Sequence, residues 1–344
     1  MEGNLLPGFT ILMPTFNSES RIRRCLESIR QQKYPQDHVQ ILIADGGSTD
    51  KTREIAEGYG ATIVDNPLKL AEEGLRVGMS QVRREHVVIF ADDNEFAEYT
   101  WLSTVEAIFE AADRLCAFFC RLGASKDDPP VNKYYALIET EPLNFYMNRN
   151  LKQYVGSSVR RSTVGINYHA FDVQPAKPLV WGANGLTYRT EVIRGIWDTE
   201  EYLGDNDAFQ LMIESGNNRV AYTRELCVFH HHVNGLWSWR KKWGRNFQQH
   251  FLVNLDTRNL NWLFVPHFTV KLVTWTLYSL IPVVSIPLAV ARALHDRDWH
   301  WLYHPAAAFL QASTYIKILL TSEEGRAYLG RWLAGSKKAR DVAP

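Results

Sequence analysis

The chain has 344 residues, 46% of them apolar, which suits one large α/β domain with a sizeable core plus an appendage. Lys plus Arg equal Asp plus Glu at 38 each, so the basic excess of a general nucleic-acid binder is absent and no nucleic acid is expected as a partner. Cys25, Cys116, Cys120 and Cys227 include no CxxC pair, a usage that fits a reducing compartment.

The first 14 residues lack a basic region followed by a long apolar core. No signal peptide is expected there, and the catalytic part is expected in the cytoplasm. Residues 9–13 are a short apolar run closed by Pro14 and predict a strand. A helix follows over 20–32, with Ile22, Leu26 and Ile29 on one face and Ser18 or Ser20 as N-cap. Residues 39–44 form a continuous apolar run of the kind buried in parallel sheets. The turn 45–50, Asp-Gly-Gly-Ser-Thr-Asp, leads to a helix over 51–58. A strand is expected at 61–64, a helix at 72–84, and a strand at 87–91 that ends in Asp92-Asp93-Asn94. This alternation predicts a mainly parallel sheet with helices on both faces. In such sheets ligands sit at the carboxyl ends of the strands. The polar turns 14–19, 45–50 and 92–95 each follow a strand, and all should open onto one crevice.

Cys116 and Cys120 are four apart on what reads as a helix, where they pack rather than bind metal. Residues 123–178 have no clear period; with Pro129-Pro130, Arg149, Lys152, Arg160 and Arg161 they read as a variable, partly ordered acceptor-side region. Regular structure resumes at 179–188. An acidic turn opens a helix within 201–216, and a strand over 220–229 runs into His230-His231-His232. Residues 237–246, WSWRKKWGRN, suit phosphate and membrane-interface contact, and equally a juxtamembrane amphipathic helix. Most of the 11 tryptophans lie after residue 180, as interfacial anchors would.

Residues 272–291 carry no charge, and 301–320 carry only Lys317. About twenty apolar residues is the length of a membrane-crossing helix. The polar stretch 292–298 reads as the hairpin loop between two such helices. Pro282, Pro287 and Lys317 lower the spanning tendency, which leaves buried core helices or helices lying in the interface as the other readings. Arg240, Lys241, Lys242, Arg245, Arg258 and Lys271 precede the pair; Arg326, Arg331, Lys337, Lys338 and Arg340 follow it. The positive-inside rule then puts both flanks in the cytoplasm. The expected division is a catalytic domain over 1–250 and a membrane-associated helical hairpin with a basic tail over 251–344.

Two glycines in the 45–50 turn allow close backbone approach to a ligand, and its terminal carboxylates can accept from base or ribose groups. GxGxxG and GxxxxGK[ST] are both absent, which leaves no dinucleotide fingerprint and no P-loop. Asp92, Asp93 and Glu95 repel one another unless a cation or donors offset their charge. A hard divalent cation bridging a diphosphate would do so; a solvated acidic turn is the other reading.

Taken together, the segments TILMPTFNSESRIRRCLESIRQQKYP, ILIADGGSTDKTREIA and VVIFADDNEF resemble the family 2 glycosyltransferases with the GT-A fold. The resemblance continues at WGANGLTYRTEVI and YLGDNDAFQLMIESG and covers roughly residues 8–250, with 123–178 unmatched. It implies an inverting transferase with a nucleotide-sugar donor, UDP- or GDP-linked. Pro14, Thr15, Asn17 and Glu19 would line the nucleobase and ribose pocket. Asp45 would hold the base, with Gly46, Gly47 and Ser48 close to the ribose. Arg76, Asp92 and Asp93 would join the donor contacts. Asp93, Asn94 and His230 would hold a divalent cation, Mn²⁺ or Mg²⁺. Asn94 stands where the family's Asp-x-Asp motif has its last Asp, and Asn is a weaker, neutral ligand. Either Asp93 makes the direct contact or metal dependence is reduced.

Gly204-Asp205-Asn206-Asp207 matches the family's Glu-Asp signature, with Gly204 replacing Glu and Asp205 in the place of the catalytic base. An inverting transfer needs one base to deprotonate the acceptor hydroxyl. Asp205 or Asp207 also suits capping of the helix that follows. Gln-x-x-Arg-Trp, typical of processive synthases, is absent, which favours single-sugar transfer. The expected acceptor is a lipid-linked saccharide or other membrane acceptor at the cytoplasmic face of a membrane. A polyprenyl-phosphate glycosyl synthase is the alternative. A nucleotidylyltransferase would want a Gly-rich basic loop that PTFNSES does not offer, and an inactive membrane scaffold has Asn94 and Gly204 as its support.

Overall fold

The computed structural model describes residues 5–147, 150–179, 184–199, 203–253 and 268–333. Packing divides the chain into two units, one drawn from 1–123 and 150–230, the other from 124–149 and 231–344. The division therefore does not fall at residue 250.

The first unit opens with β1 (Leu6–Thr15), α1 (Glu19–Arg30), β2 (Val39–Asp45), α2 (Thr52–Gly58), β3 (Thr62–Asp65), α3 (Ala71–Met79) and β4 (Arg84–Ile89). It continues with β5 (Asn94–Phe96), α4 (Trp101–Ala111) and β6 (Ala117–Gly123). Two helices, α5 (Pro130–Ile138) and α6 (Pro142–Met147), then belong to the second unit. The chain returns with α7 (Asn150–Ser157), β7 (Arg160–Thr163), β8 (Ile166–Asp172), β9 (Leu186–Arg189), α8 (Thr190–Ile193), α9 (Asp205–Glu214) and β10 (Arg219–His230). All ten strands join one sheet in the order β3-β2-β1-β4-β9-β6-β10-β8-β7, with β5 paired to β10. Strands β3, β2, β1 and β4 run parallel, β9 is antiparallel to both its neighbours, and β10 is parallel to β6.

Alternating side chains of the central strands feed two cores, one on each face of the sheet. Phe9, Ile11 and Met13 of β1 pack with Ile22, Leu26 and Ile29 of α1 and with α4, whereas Leu12 packs with Leu75 and Met79 of α3. The continuous apolar runs of β1 and β2 are thus buried on both sides, as parallel strands require. Cys116 and Cys120 differ from expectation. Cys120 lies within strand β6 and Cys116 just before it, both buried, because Ala117 to Phe119 alternate between the two cores with period two. Helix α3 ends at Met79 rather than 84, and β4 begins at Arg84.

The second unit adds to α5 and α6 the helix α10 (Leu236–Arg245), a π-helical stretch (Asn246–Leu252), α11 (Phe268–Leu280), α12 (Pro282–Asp296), a 3₁₀ turn (Trp299–Tyr303), α13 (His304–Thr321) and α14 (Glu323–Leu333). Its core holds Tyr134, Tyr135 and Ile138 of α5 with Trp239, Trp301 and Ala307. Tyr134 meets His304 Nδ1 at 2.8 Å. The expected partly ordered region 123–178 instead holds α5 and α6 of this core and α7, β7 and β8 of the first unit, and the tryptophans of WSWRKKWGRN split: Trp239 is fully buried and Trp237 exposed.

No single described helix is long and apolar enough to cross a membrane. The uncharged run that reads as one span is broken: α11 and α12 meet at 88°. Pro282 supplies no N–H to continue α11, and it opens α12 at a helix-start position instead. The expected loop at 292–298 is mostly helix, since α12 runs to Asp296 and stops at Arg297 in the left-handed region. Residues Arg258, Lys337, Lys338 and Arg340 lie outside the described residues.

Candidate active site

The parallel strands β1 and β2 end in register, Thr15 opposite Asp45. Their following turns are laced together. Asp45 Oδ1 accepts from the hydroxyls of Thr15 (3.1 Å) and Ser48 (2.6 Å). Asp45 Oδ2 accepts from the N–H groups of Gly47 (3.0 Å) and Ser48 (2.9 Å) and from Arg53 (3.3 Å). Gly47 sits at φ 79°, which favours glycine and aims its N–H at the carboxylate. Burial works to raise the Asp45 carboxyl, but the donors of Ser48, Thr15 and Arg53 outweigh it and hold it below the ordinary value. Asp45 thus organises its own turn with a side chain wholly out of solvent.

Asn17, itself at φ 48°, accepts the Thr49 N–H (2.9 Å) and donates its N–H to Ser48 Oγ (2.9 Å). Glu19 accepts the Lys51 N–H (3.2 Å). These two residues tie the turns into one rim. Phe16, absent from the expected site, is 44% exposed on that rim with the Lys69 ammonium 5.3 Å from its ring centre. Its place between Thr15 and Asn17 was the available signal: strand alternation puts it on the other face from Thr15.

After β4, the Asn94 N–H closes a turn on the Ala91 carbonyl (3.0 Å). The acidic residues of this turn have separate partners. Asp92 is buried and accepts from the Ser18 hydroxyl and from Arg21 Nη2 (2.9 Å). Burial and the neighbouring Asp93 charge raise its carboxyl against the lowering effect of Arg21 and Ser18. Ser18 does stand at the N-cap of α1, yet its hydroxyl serves Asp92 rather than the helix. Asp92 is therefore engaged inside the protein, and neither Ser18 nor Arg21 was among the expected site residues.

Asp93 faces the other way. Its Oδ1 lies 3.3 Å from His230 Nε2. The antiparallel pairing of β5 with β10 sets Asn94 opposite His230, and this brings the end of a distant strand to the acidic turn. Asn94 is 1% exposed, and neither atom of its side-chain amide has a hydrogen-bond partner among the described residues. A buried amide without partners costs roughly 1–3 kcal/mol, and a cation bound by the amide oxygen would remove the oxygen's share of that cost. Two ligands about 2.1–2.3 Å from one ion stand roughly 3 Å apart, so the Asp93–His230 spacing fits a shared hard cation.

Asp205 and Asp207 open α9 with different duties. Asp207 is buried at the third helical position and accepts the N–H of the N-cap residue Gly204 (3.1 Å), a capping role. Asp205 is half-buried, and its Oδ1 accepts the Asn206 N–H (2.8 Å). Its charge also bears on Tyr188 of β9, whose hydroxyl is raised first by burial and then by Asp205. Of the neighbouring motif residues, 181–183 and 200–202 lie outside the described residues. Gly185 holds φ 78° and passes so near Val228 that a Cβ there would lie 2.7 Å from its methyl.

Arg76 is not brought to this end of the sheet. It is paired with Glu73 one turn back in α3 (2.8 and 2.6 Å) and lines a cavity of about 960 Å³ with Glu85, Arg189 and Arg194, beside the amino end of β4. Helix α3 runs antiparallel to the strands, so its later residues point away from their carboxyl ends. His231 and His232 belong to the second unit: His231 meets Asp128 at 2.7 Å, and His232 stacks on Tyr135 at 4.7 Å.

A mixed, largely parallel sheet of this order, with its polar turns at the strands' carboxyl ends and an acidic turn beside them, is the arrangement that the GT-A resemblance implies. Residues 10–171 match the Glycosyl transferase family 2 model. The matched stretch, just under half of the chain, is similar to the family 2 glycosyltransferases. Glycosyltransferase AglE of Haloferax volcanii is 35% identical over 68 residues, 20% of this chain and 22% of that protein. The 4,4'-diaponeurosporenoate glycosyltransferase of Staphylococcus aureus is 46% identical over 56 residues, 16% of this chain and 14% of that protein. The chain thus matches less than a quarter of either curated relative's length. Among solved structures, mannosyltransferase PcManGT from Pyrobaculum calidifontis, in complex with GDP-Man and Mn²⁺, is 16% identical over 98% of this chain and 85% of its own, with a TM-score of 0.47. S. aureus TarS in complex with UDP-GlcNAc is 14% identical over 89% of this chain and 90% of its own, with a TM-score of 0.45. Both likenesses are too distant to inform individual residues.

Proposed function

We propose that the chain transfers one sugar, with inversion, from a UDP- or GDP-linked donor to a membrane-associated, lipid-linked saccharide acceptor at the cytoplasmic face of a membrane. The observation that carries the donor half is the Asp93–His230 pair at 3.3 Å beside the unpartnered Asn94 amide. Asp93 and His230, with the Asn94 amide oxygen, would hold a divalent cation, which would supply positive charge to a departing diphosphate. The laced rim of Asn17, Glu19, Asp45 and Ser48, with Phe16 exposed upon it, receives the nucleoside. Asp205 takes the proton of the acceptor hydroxyl as that oxygen bonds to the anomeric carbon. The bond from that carbon to the diphosphate oxygen breaks, and the nucleoside diphosphate leaves with the electron pair. One base and single displacement give the opposite anomer.

Asp205→Asn tests this. It keeps the shape and the Asn206 contact but loses basicity, so turnover should fall by about two to four orders of magnitude with nucleotide binding intact. Asp207→Asn is the matched control and should lose stability rather than turnover. Initial rates at saturating donor, with the product anomer read by NMR, decide the matter. Near-wild-type turnover in Asp205→Asn, or retention of configuration, defeats the mechanism.

A further inference from the structure

Helices α11 and α12 bury Trp275, two serines and two alanines and leave larger aliphatic side chains outside. Ser279, Ser285 and Ala289 are 0–1% exposed, whereas Val273, Leu277, Ile281, Val283 and Val284 are 44–73% exposed. A helix pair packed in water turns its large aliphatic side chains inward, and a contiguous apolar surface of this kind marks something other than solvent beyond it.

The bend sets what can cover that surface. The arms have 13 and 15 residues, about 20 and 22 Å at about 1.5 Å per residue, against a hydrocarbon core of about 30 Å. Neither arm crosses alone. With their 88° bend set symmetrically about the membrane normal, the arms descend about 14 and 16 Å, the depth of one leaflet.

The charges match the same geometry. No charged residue lies between Lys271 and Arg292. From the break at Ile281, Lys271 is 10 residues back (281 − 271) and Arg292 is 11 ahead (292 − 281). On both arms the first charge met is therefore a cation, about 11 Å above the apex. That puts Lys271 within snorkelling reach of a phosphate layer about 15 Å above the apex, while the Arg292 guanidinium lies over the Trp301 ring, 5.8 Å from its centre. An anionic leaflet favours cations placed this way, whereas a second copy of the chain or another protein gives no reason for them.

We propose that α11–α12 is a re-entrant wedge: it enters one leaflet of an anionic membrane with Val283 and Val284 at its apex and returns to the same side. The wedge extends the membrane-bound acceptor reading above by naming how the chain is held, without a crossing helix.

Full-length protein mixed with vesicles of phosphatidylcholine, with or without phosphatidylglycerol, should float with the anionic vesicles and float less with the neutral ones. A carboxylate carried to mid-bilayer weakens insertion by roughly a hundredfold, so Val283→Asp and Val284→Asp should each abolish flotation. Their melting by circular dichroism should match the wild type, which shows that the fold is intact whether or not the donor reading holds. Arg297→Cys in vesicle-bound protein should react with a membrane-impermeant maleimide added outside, since the native cysteines are buried. Protection of that position means the pair crosses, and the wedge is wrong. Flotation unchanged by the apex carboxylates, no flotation of the wild type, or a dimer that dissociates on Val283→Asp also overturns it. Loss of donor turnover with flotation retained would strike the proposed function and leave the wedge standing.

Discussion

Asp45→Asn separates two roles for one carboxylate. If Asp45 serves as a base contact, the change costs donor affinity alone. In the structure, Oδ1 takes two hydroxyls and Oδ2 takes two backbone N–H groups and Arg53. The hydroxyls of Thr15 and Ser48 can turn round and accept from an amide, but the N–H groups of Gly47 and Ser48 cannot. The variant's amide should therefore place its nitrogen at the Oδ1 position, keep both backbone bonds, and lose their charge assistance. Bonds to a charged acceptor are worth about 1.5–3 kcal/mol and neutral ones about 1, so the two together lose about 1–4 kcal/mol. The Arg53 pair, 41% exposed on the arginine side, adds less than about 1 kcal/mol. Melting should drop by about 2–4 °C per kcal/mol for a unit of this size. The sign with pH follows from the lowered carboxyl. Its stabilisation is fully present above the unfolded value near 4 and is lost as pH falls through the lower folded value, so the gap between wild type and variant should close below about pH 4. Melts followed by circular dichroism at neutral and acid pH measure this. A variant that melts with the wild type yet loses nucleotide affinity would refute the structural role and restore the base contact.

Asp93→Ala and His230→Ala should each weaken Mn²⁺-dependent binding of UDP or GDP by about tenfold or more, since each removes one of few ligands; unchanged calorimetric affinity in both would take the cation away from this turn. Gly78→Ala should destabilise by about 1–3 kcal/mol because its methyl would overlap the Leu12 Cδ1 methyl in a filled core, and urea melts should show the loss shrinking when Leu12 is also cut to Ala. His86, packed between Phe9 and Phe109, is held down at about 4 from an ordinary 6.5 by burial first and by Arg189 second. Its stabilisation is complete above about pH 6.5 and is lost as pH falls toward 4, by at most roughly 3 kcal/mol. His86→Phe should flatten that part of the stability profile; an equally steep fall in the variant would clear His86.

The sheet's parallel half was legible because β1, β2 and β4 are buried on both faces and so read as unbroken apolar runs. The same signal misled at Cys116 and Cys120, where a spacing of four suits a helix but β6 alternates between two cores. Helices α5 and α6 escaped notice for another reason. In α5 the buried face is Tyr134, Tyr135 and Ile138, and in α6 Phe145 joins the same cluster, whose tryptophans come about a hundred or more positions later. Propensity reads only near neighbours, and here the partner surface is distant in sequence. The break at Pro282 was visible as a proline, but its angle was not, because composition scores a straight span and a bent one alike.

The site divides along the same line. Turns after strands are local features, so Asp45, Asn17 and Asp93 could be picked from their motifs. What the motif could not show is how its charges are shared out. Asp92 and Asp93 adjoin in sequence, yet Asp92 is tied to Arg21 and Ser18 while Asp93 faces His230, which arrives through the register of β5 on β10. Asn94 then has a physical reason. It is almost wholly buried next to Asp93, and a third carboxylate there would lack a cation of its own, since Arg21 is engaged by Asp92. A neutral amide costs the turn less without metal than a third buried carboxylate would, and gives up one charged ligand. The expectation is a cation site of modest affinity that fills with the nucleoside diphosphate rather than before it, because the diphosphate supplies the negative charge that Asn94 does not.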